Sequence, residues 1–285
     1  MAQNVPRPIM IEATERRLAY LPLAGMRLGQ AFARPKVLAS ACVVALTALG
    51  WLYLGLLIAN IGVATPQGVT ALCRPLLDAG TGEGGFALVL SMWIAMVFAM
   101  MLPSAAPMIF TYAEIADTAA RKGEAIVSPF ALAAGYAFVW IVFSLAAAIL
   151  QAALAQAALL NNNMAVTSTV FSGAIFAAAG LYQFSALKHA CLHKCQHPFP
   201  FFFAHWKTTA PGVFRLGAMQ GLYCLGCCWA MMSVMFAVGT MNAIWMAALG
   251  AVMTIEKMST GRRFSHGLGI LLLGAGAVVV ALALR

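Results

Sequence analysis

The run FALVLSMWIAMVFAMMLPSAAPMIF, from Phe86 to Phe110, decides the fold. It carries no charge, and as a helix it is long enough to cross a hydrocarbon layer of roughly 30 Å, for which about 20 residues suffice. Comparable runs recur along the chain. They read as seven helices, near 38–60, 86–110, 131–155, 166–187, 214–239, 242–257 and 267–284. Composition agrees, with 63% hydrophobic residues, 9% charged and a mean hydropathy of +0.90. A soluble core of this length needs far less apolar material. The fold expected is therefore all-α, a polytopic membrane helical bundle of about seven transmembrane helices.

The net charge of +9 is explained by its distribution. With the N-terminus in the cytoplasm, Arg7, Arg16, Arg17, Arg27, Arg34, Lys36, Arg121, Lys122, Lys188, Lys194, Lys207, Arg215, Lys257, Arg262 and Arg263 all fall on the cytoplasmic side. Arg74 and Arg285 fall outside. This asymmetry sets an N-in, C-out orientation and favours an odd number of crossings. Nucleic acid is not needed to account for the basicity. A basic cytoplasmic segment, 1–37, is too long and mixed for a simple cleavable leader. A single transmembrane domain, 38–285, follows it. The location expected is the bacterial inner (cytoplasmic) membrane, as a multi-pass protein.

Sulfur lines two of these helices. Met92, Met96 and Met100 fall at i, i+4 and i+8, so they share one helix face. Pro103 and Pro107 follow and are expected to bend the helix and free carbonyls near Ala99 and Pro103. Further along, Cys224, Cys227, Cys228, Met231 and Met235 form a stripe on one side of the 214–239 helix. Thiolates and thioethers are soft donors, suited to Cu(I) rather than Ca²⁺ or Mg²⁺. Methionine also serves as flexible core filler, and small residues at a tight helix contact compete for the cysteine run. Three cysteines in five positions speak more strongly for metal than methionines alone.

A third cluster occupies the cytoplasmic connection 188–213. His189, Cys191, His193, Cys195 and His197 alternate there with other residues, and mixed imidazole and thiol donors take Cu, Zn or Fe. An interfacial basic loop is the plainer alternative, but five donors in nine residues favour metal. Phe199 to Phe203 and Trp206 would anchor it at the interface. The cysteines do not read as a disulfide framework, because this side of the membrane keeps thiols reduced. Glu256, at the end of the 242–257 helix, is a candidate charge partner if it faces the sulfur helices. No Walker A, GxGxxG, GxSxG or HExxH pattern is present.

Three motifs taken together resemble one family. They are Trp93-x-x-Met96-x-x-x-Met100-Met101-x-Pro103-Ser104, Gly180-x-Tyr182-Gln183-x-x-x-x-Lys188-x-x-Cys191-Leu192-x-x-Cys195 and Gly221-x-x-Cys224-x-Gly226-Cys227-Cys228-Trp229. Gly239-x-Met241-Asn242 and Glu256-Lys257 extend the third. Over about residues 86–258 the chain is similar to the bacterial domain of unknown function 2182 family, described as predicted metal-binding integral membrane proteins. The resemblance implies metal binding and brings no reaction with it.

The function expected is to bind a soft transition metal, copper favoured, for transport, storage or delivery to a membrane enzyme. The metal-ligand candidates are Met96, Met100, Cys224, Cys227, Cys228, His189, Cys191, His193 and Cys195, and no catalytic residue is assigned. Zinc, iron or haem stay open as alternatives to the copper ion. The partners expected are the lipid bilayer, the metal ion, and a membrane metalloenzyme or other membrane subunits, with no nucleic acid. The alternatives are a subunit of a membrane-bound metal-dependent oxidase or monooxygenase, with Tyr182 or Tyr223 near the metal, and a structural subunit of a larger membrane complex.

Overall fold

The computed structural model describes residues 35–62, 83–123, 127–157, 159–160, 166–240, 243–259 and 261–284. The basic segment before Pro35, the stretch with Cys73 and Arg74, Asn161 to Asn163, Met241, Asn242 and Arg285 lie outside the described residues. Among the described residues there are nine helices. They are α1 (Pro35–Gly62), α2 (Glu83–Arg121), α3 (Pro129–Gln156), α4 (Thr169–Tyr182), α5 (Ala186–Gln196), α6 (Pro198–Ala204), α7 (Ala210–Val238), α8 (Ala243–Met258) and α9 (Arg262–Ala283). The fold is all-helical, with a single isolated bridge, Leu160 to Val166, among the described residues.

Helices occupy all seven stretches read from the sequence, but the one read over 166–187 is broken into α4 and the start of α5. Among the described residues five helices, α1, α2, α3, α7 and α9, are long and apolar enough to cross a membrane. A sixth is reached if α4 and α5, bent by 64° at their junction, count as one span. The break has a local cause. Ser185 is the N-cap of α5, and its hydroxyl accepts from the Lys188 amide, so a new helix starts where the sequence reading continued the old one. The connection expected at 188–213 accordingly holds two helices, α5 and α6, the latter opening with Pro198 in its first turn.

Close backbone approach at glycine organises the bundle. A Cβ on Gly217 of α7 would overlap the Leu132 carbonyl of α3, and one on Gly135 of α3 would overlap the Phe214 carbonyl of α7. The pair therefore packs backbone to backbone, as small residues permit in lipid. α4 and α9 meet in the same manner through Gly173 and Gly180 on one side and Gly269 and Gly276 on the other. α1 lies against α2 at Gly50, whose added Cβ would stand 3.1 Å from the Ala99 amide nitrogen.

Pro103 frees a carbonyl on α2, as expected. Lacking an N–H, it leaves the Ala99 carbonyl without its helical donor, and the Trp51 indole of α1 donates to that oxygen at 3.1 Å. The helix runs on through both prolines as one element. The core lies between α2, α3, α7 and α8, where Met92, Trp93, Met96, Met100, Met101, Met231, Met232 and Met235 are all buried. The Trp93 indole donates to Gln151 of α3 at 2.7 Å and its ring packs on Phe236 of α7, centroids 5.5 Å apart.

Candidate metal centre

The middle of α7 presents Cys224, Cys227 and Cys228 to the interior, each no more than 3% exposed. Helical periodicity brings them together, since i, i+3 and i+4 share a face. The Cys227 and Cys228 sulfurs are 3.3 Å apart, and the Cys227 thiol donates to the Cys224 carbonyl at 3.1 Å. Cys224 also interacts with both neighbouring thiols.

Three other elements close on this face. From α5, the Cys195 thiol reaches toward the Cys227 thiol. Cys191 packs its sulfur on Gly226, where an added Cβ would stand 2.7 Å away. From α3, the Tyr136 hydroxyl lies 3.0 Å from the Cys224 sulfur and donates to the Met101 carbonyl of α2 at 3.4 Å. From α8, the Lys257 ammonium donates to the Cys224 sulfur at 2.9 Å and to the Ser104 hydroxyl of α2 at 2.8 Å. Tyr136 and Lys257 therefore bridge α2 to the thiol face of α7. Tyr182, at the end of α4, donates to the Gly226 carbonyl at 2.5 Å and fixes the C-terminal end of α4 on the same turn.

The structure gathers Cys191, Cys195, Cys224, Cys227 and Cys228 and leaves the other candidates elsewhere. Met96 and Met100 are buried on α2, and Met100 fills the space over Gly250 of α8. His189 faces α9, its ring 5.4 Å from that of His266. His193 is exposed and stacks on His197 at 4.5 Å. Glu256 turns away from the thiols to a buried ion pair with Lys188, 2.7 Å between Nζ and Oε1, and accepts from Ser265 at 2.5 Å. Lys188 also contacts the Gln183 side-chain carbonyl. Of the aromatic anchor, Phe199 and Phe203 are exposed. Phe201 and Phe202 are buried, and these two pack on Tyr223 of α7 and Tyr112 of α2.

Tyr136 and Lys257 were not read from the sequence as site residues. Each does carry a signal. Tyr136 is a hydroxyl in an otherwise apolar run, and Lys257 adjoins an acid on a helix. Neighbours on a helix point about 100° apart, so Glu256 and Lys257 serve different sites.

Among the described residues, no three His, Cys, Asp or Glu side chains are spaced to hold a metal ion. Pairs of thiols are a different matter, and a soft monovalent ion is satisfied by few sulfur donors. Long apolar helices around a buried, solvent-shielded thiol cluster define a multi-pass membrane protein with a soft-metal donor set. Residues 90–279 match the family PpoB2, described as copper chaperone, and the chain belongs to that family. No curated protein and no solved structure matches the chain.

Proposed function

We propose that this protein receives Cu(I) inside the membrane on the α7 thiols and delivers it to a membrane enzyme. Cys224 with Cys227 or Cys228 supplies the sulfur pair that holds the ion, and Cys195 and Cys191 of α5 are the thiols through which it enters or leaves. The carrying observation is the convergence of α3, α5, α7 and α8 on the Cys224 to Cys228 turn, with every α7 thiol buried. Stepwise exchange between closely set thiols moves such an ion without setting it free in hydrocarbon, where a bare charge is costly.

The same reading places the protein in the bacterial inner membrane with seven crossings, N-in and C-out. α8 is short, and its Lys257 meets Cys224 of α7. At about 1.5 Å per residue, Cys224 stands roughly 20 Å from the end of α7 and Lys257 roughly 20 Å from the start of α8, so the two reach the same depth. The positive-inside bias supports this orientation.

Elemental analysis of purified protein after Cu(I) loading tests the assignment. Wild type is expected to carry stoichiometric copper, Cys227→Ser to lose most of it, and Cys191→Ser to retain it with slower release to a chelator. Wild type without copper would refute the proposal.

A further inference from the structure

In the proposed site Lys257 neither holds nor passes the ion. Its ammonium is not used to balance the neighbouring acid, because Glu256 is committed to Lys188 and Ser265. Instead Lys257 touches a candidate ligand, Cys224, at 2.9 Å, and Ser104 at 2.8 Å. The elements packed around it contribute other groups. From α3 comes Tyr136, from α5 Cys195 on Cys227, from α7 the three thiols, and from α2 Ser104. A fixed cation is thus built into a sulfur site.

The geometry points to Lys257 as the residue that sets the valence of the ion this site accepts, favouring a monovalent soft ion over a divalent one. This inference rests on the proposed thiol site. Net charge decides the preference, because in a medium that solvates charge poorly each uncompensated unit is expensive. One ammonium, two thiolates and one Cu(I) sum to zero. The same ammonium and thiolates around Zn²⁺, Cd²⁺ or Cu²⁺ leave one positive charge uncompensated. A divalent ion restores neutrality only by recruiting a third thiolate, and among the described residues no three such donors are spaced to meet one ion. Removing the ammonium reverses the balance, because two thiolates then neutralise a divalent ion and leave Cu(I) in excess negative charge. Lys257 is accordingly a specificity determinant and not a ligand.

The test is the ratio of Cu(I) to Cd²⁺ affinity, measured on the full chain in detergent by competition with a chromophoric Cu(I) chelator and a Cd²⁺ chelator. Lys257→Gln and Lys257→Met should each lower that ratio by about tenfold or more, and Lys257→Arg, which keeps the charge, should hold it within about threefold. Mere loosening of the fold would weaken both ions together and leave the ratio in place. An unchanged ratio in both neutral variants, with wild type binding Cu(I), overturns this inference alone. Wild type that binds no Cu(I) overturns the thiol-site reading together with it.

Discussion

Lys188 and Glu256 stand 2.7 Å apart at the junction of α5 and α8, both sealed from solvent. The pair fastens the helix that carries Cys191 and Cys195 to the helix that carries Lys257. Lys188 lies one helical turn before Cys191, and Glu256 directly precedes Lys257, so the ion pair locates both sides of the thiol cluster at once. Lys188→Met leaves a carboxylate buried without its counter-charge and should cost about 3–5 kcal/mol, seen as a lower Tm in detergent. Lys188→Met with Glu256→Leu should recover much of that loss. A double variant no better than the single one would contradict the pairing.

Trp51 and Pro103 form a second dependent pair. Trp51→Phe leaves the Ala99 carbonyl without a donor and should cost about 1–3 kcal/mol. Pro103→Ala restores an amide that can donate to that same carbonyl, so adding it to Trp51→Phe should offset the loss. Thermal unfolding of the two single variants and the double variant checks the cycle.

The backbone contact between α3 and α7 has no room for a side chain. Gly217→Ala puts a methyl group against the Leu132 carbonyl, and the two helices must part, at a cost of about 1–3 kcal/mol or more. Gly274→Ala on α9, where an added Cβ meets nothing within 4 Å, should be neutral or slightly stabilising. The fraction of monodisperse protein after heating separates the two.

The helices were legible in the sequence because an uncharged apolar run of this length has few other uses. So was the Cys224, Cys227, Cys228 face, which depends only on spacing within one helix. The split of the 166–187 reading into α4 and α5 was not, because the capping role of Ser185 competes with continuous hydrophobicity and wins locally. The partners of the thiols were illegible for a different reason. Tyr136 and Lys257 lie far from Cys224 along the chain, and no periodicity relates residues on separate helices. Glu256 shows the same limit, since its charge was visible but its partner Lys188, on another helix, was not. Proximity in sequence groups the histidines with Cys191 and Cys195. A helix turns successive donors to different sides, so α5 sends its cysteines toward α7 and His189 toward α9.

Cysteines outside the cluster should not matter for loading. Cys42 lines a cavity of about 500 Å³ between α1, α2 and α3, and Cys42→Ser should leave copper stoichiometry unchanged. His193→Ala should do likewise, because that ring is exposed and occupied with His197. Loss of copper in either variant, measured by elemental analysis, would move the site away from α7.

The most direct measurement is X-ray absorption at the copper edge on the Cu(I)-loaded protein, wild type beside Cys224→Ser and Cys227→Ser combined. The account predicts a sulfur-only first shell in wild type and loss of bound copper in the double variant. A shell dominated by nitrogen, or full copper retention without those two thiols, would contradict it.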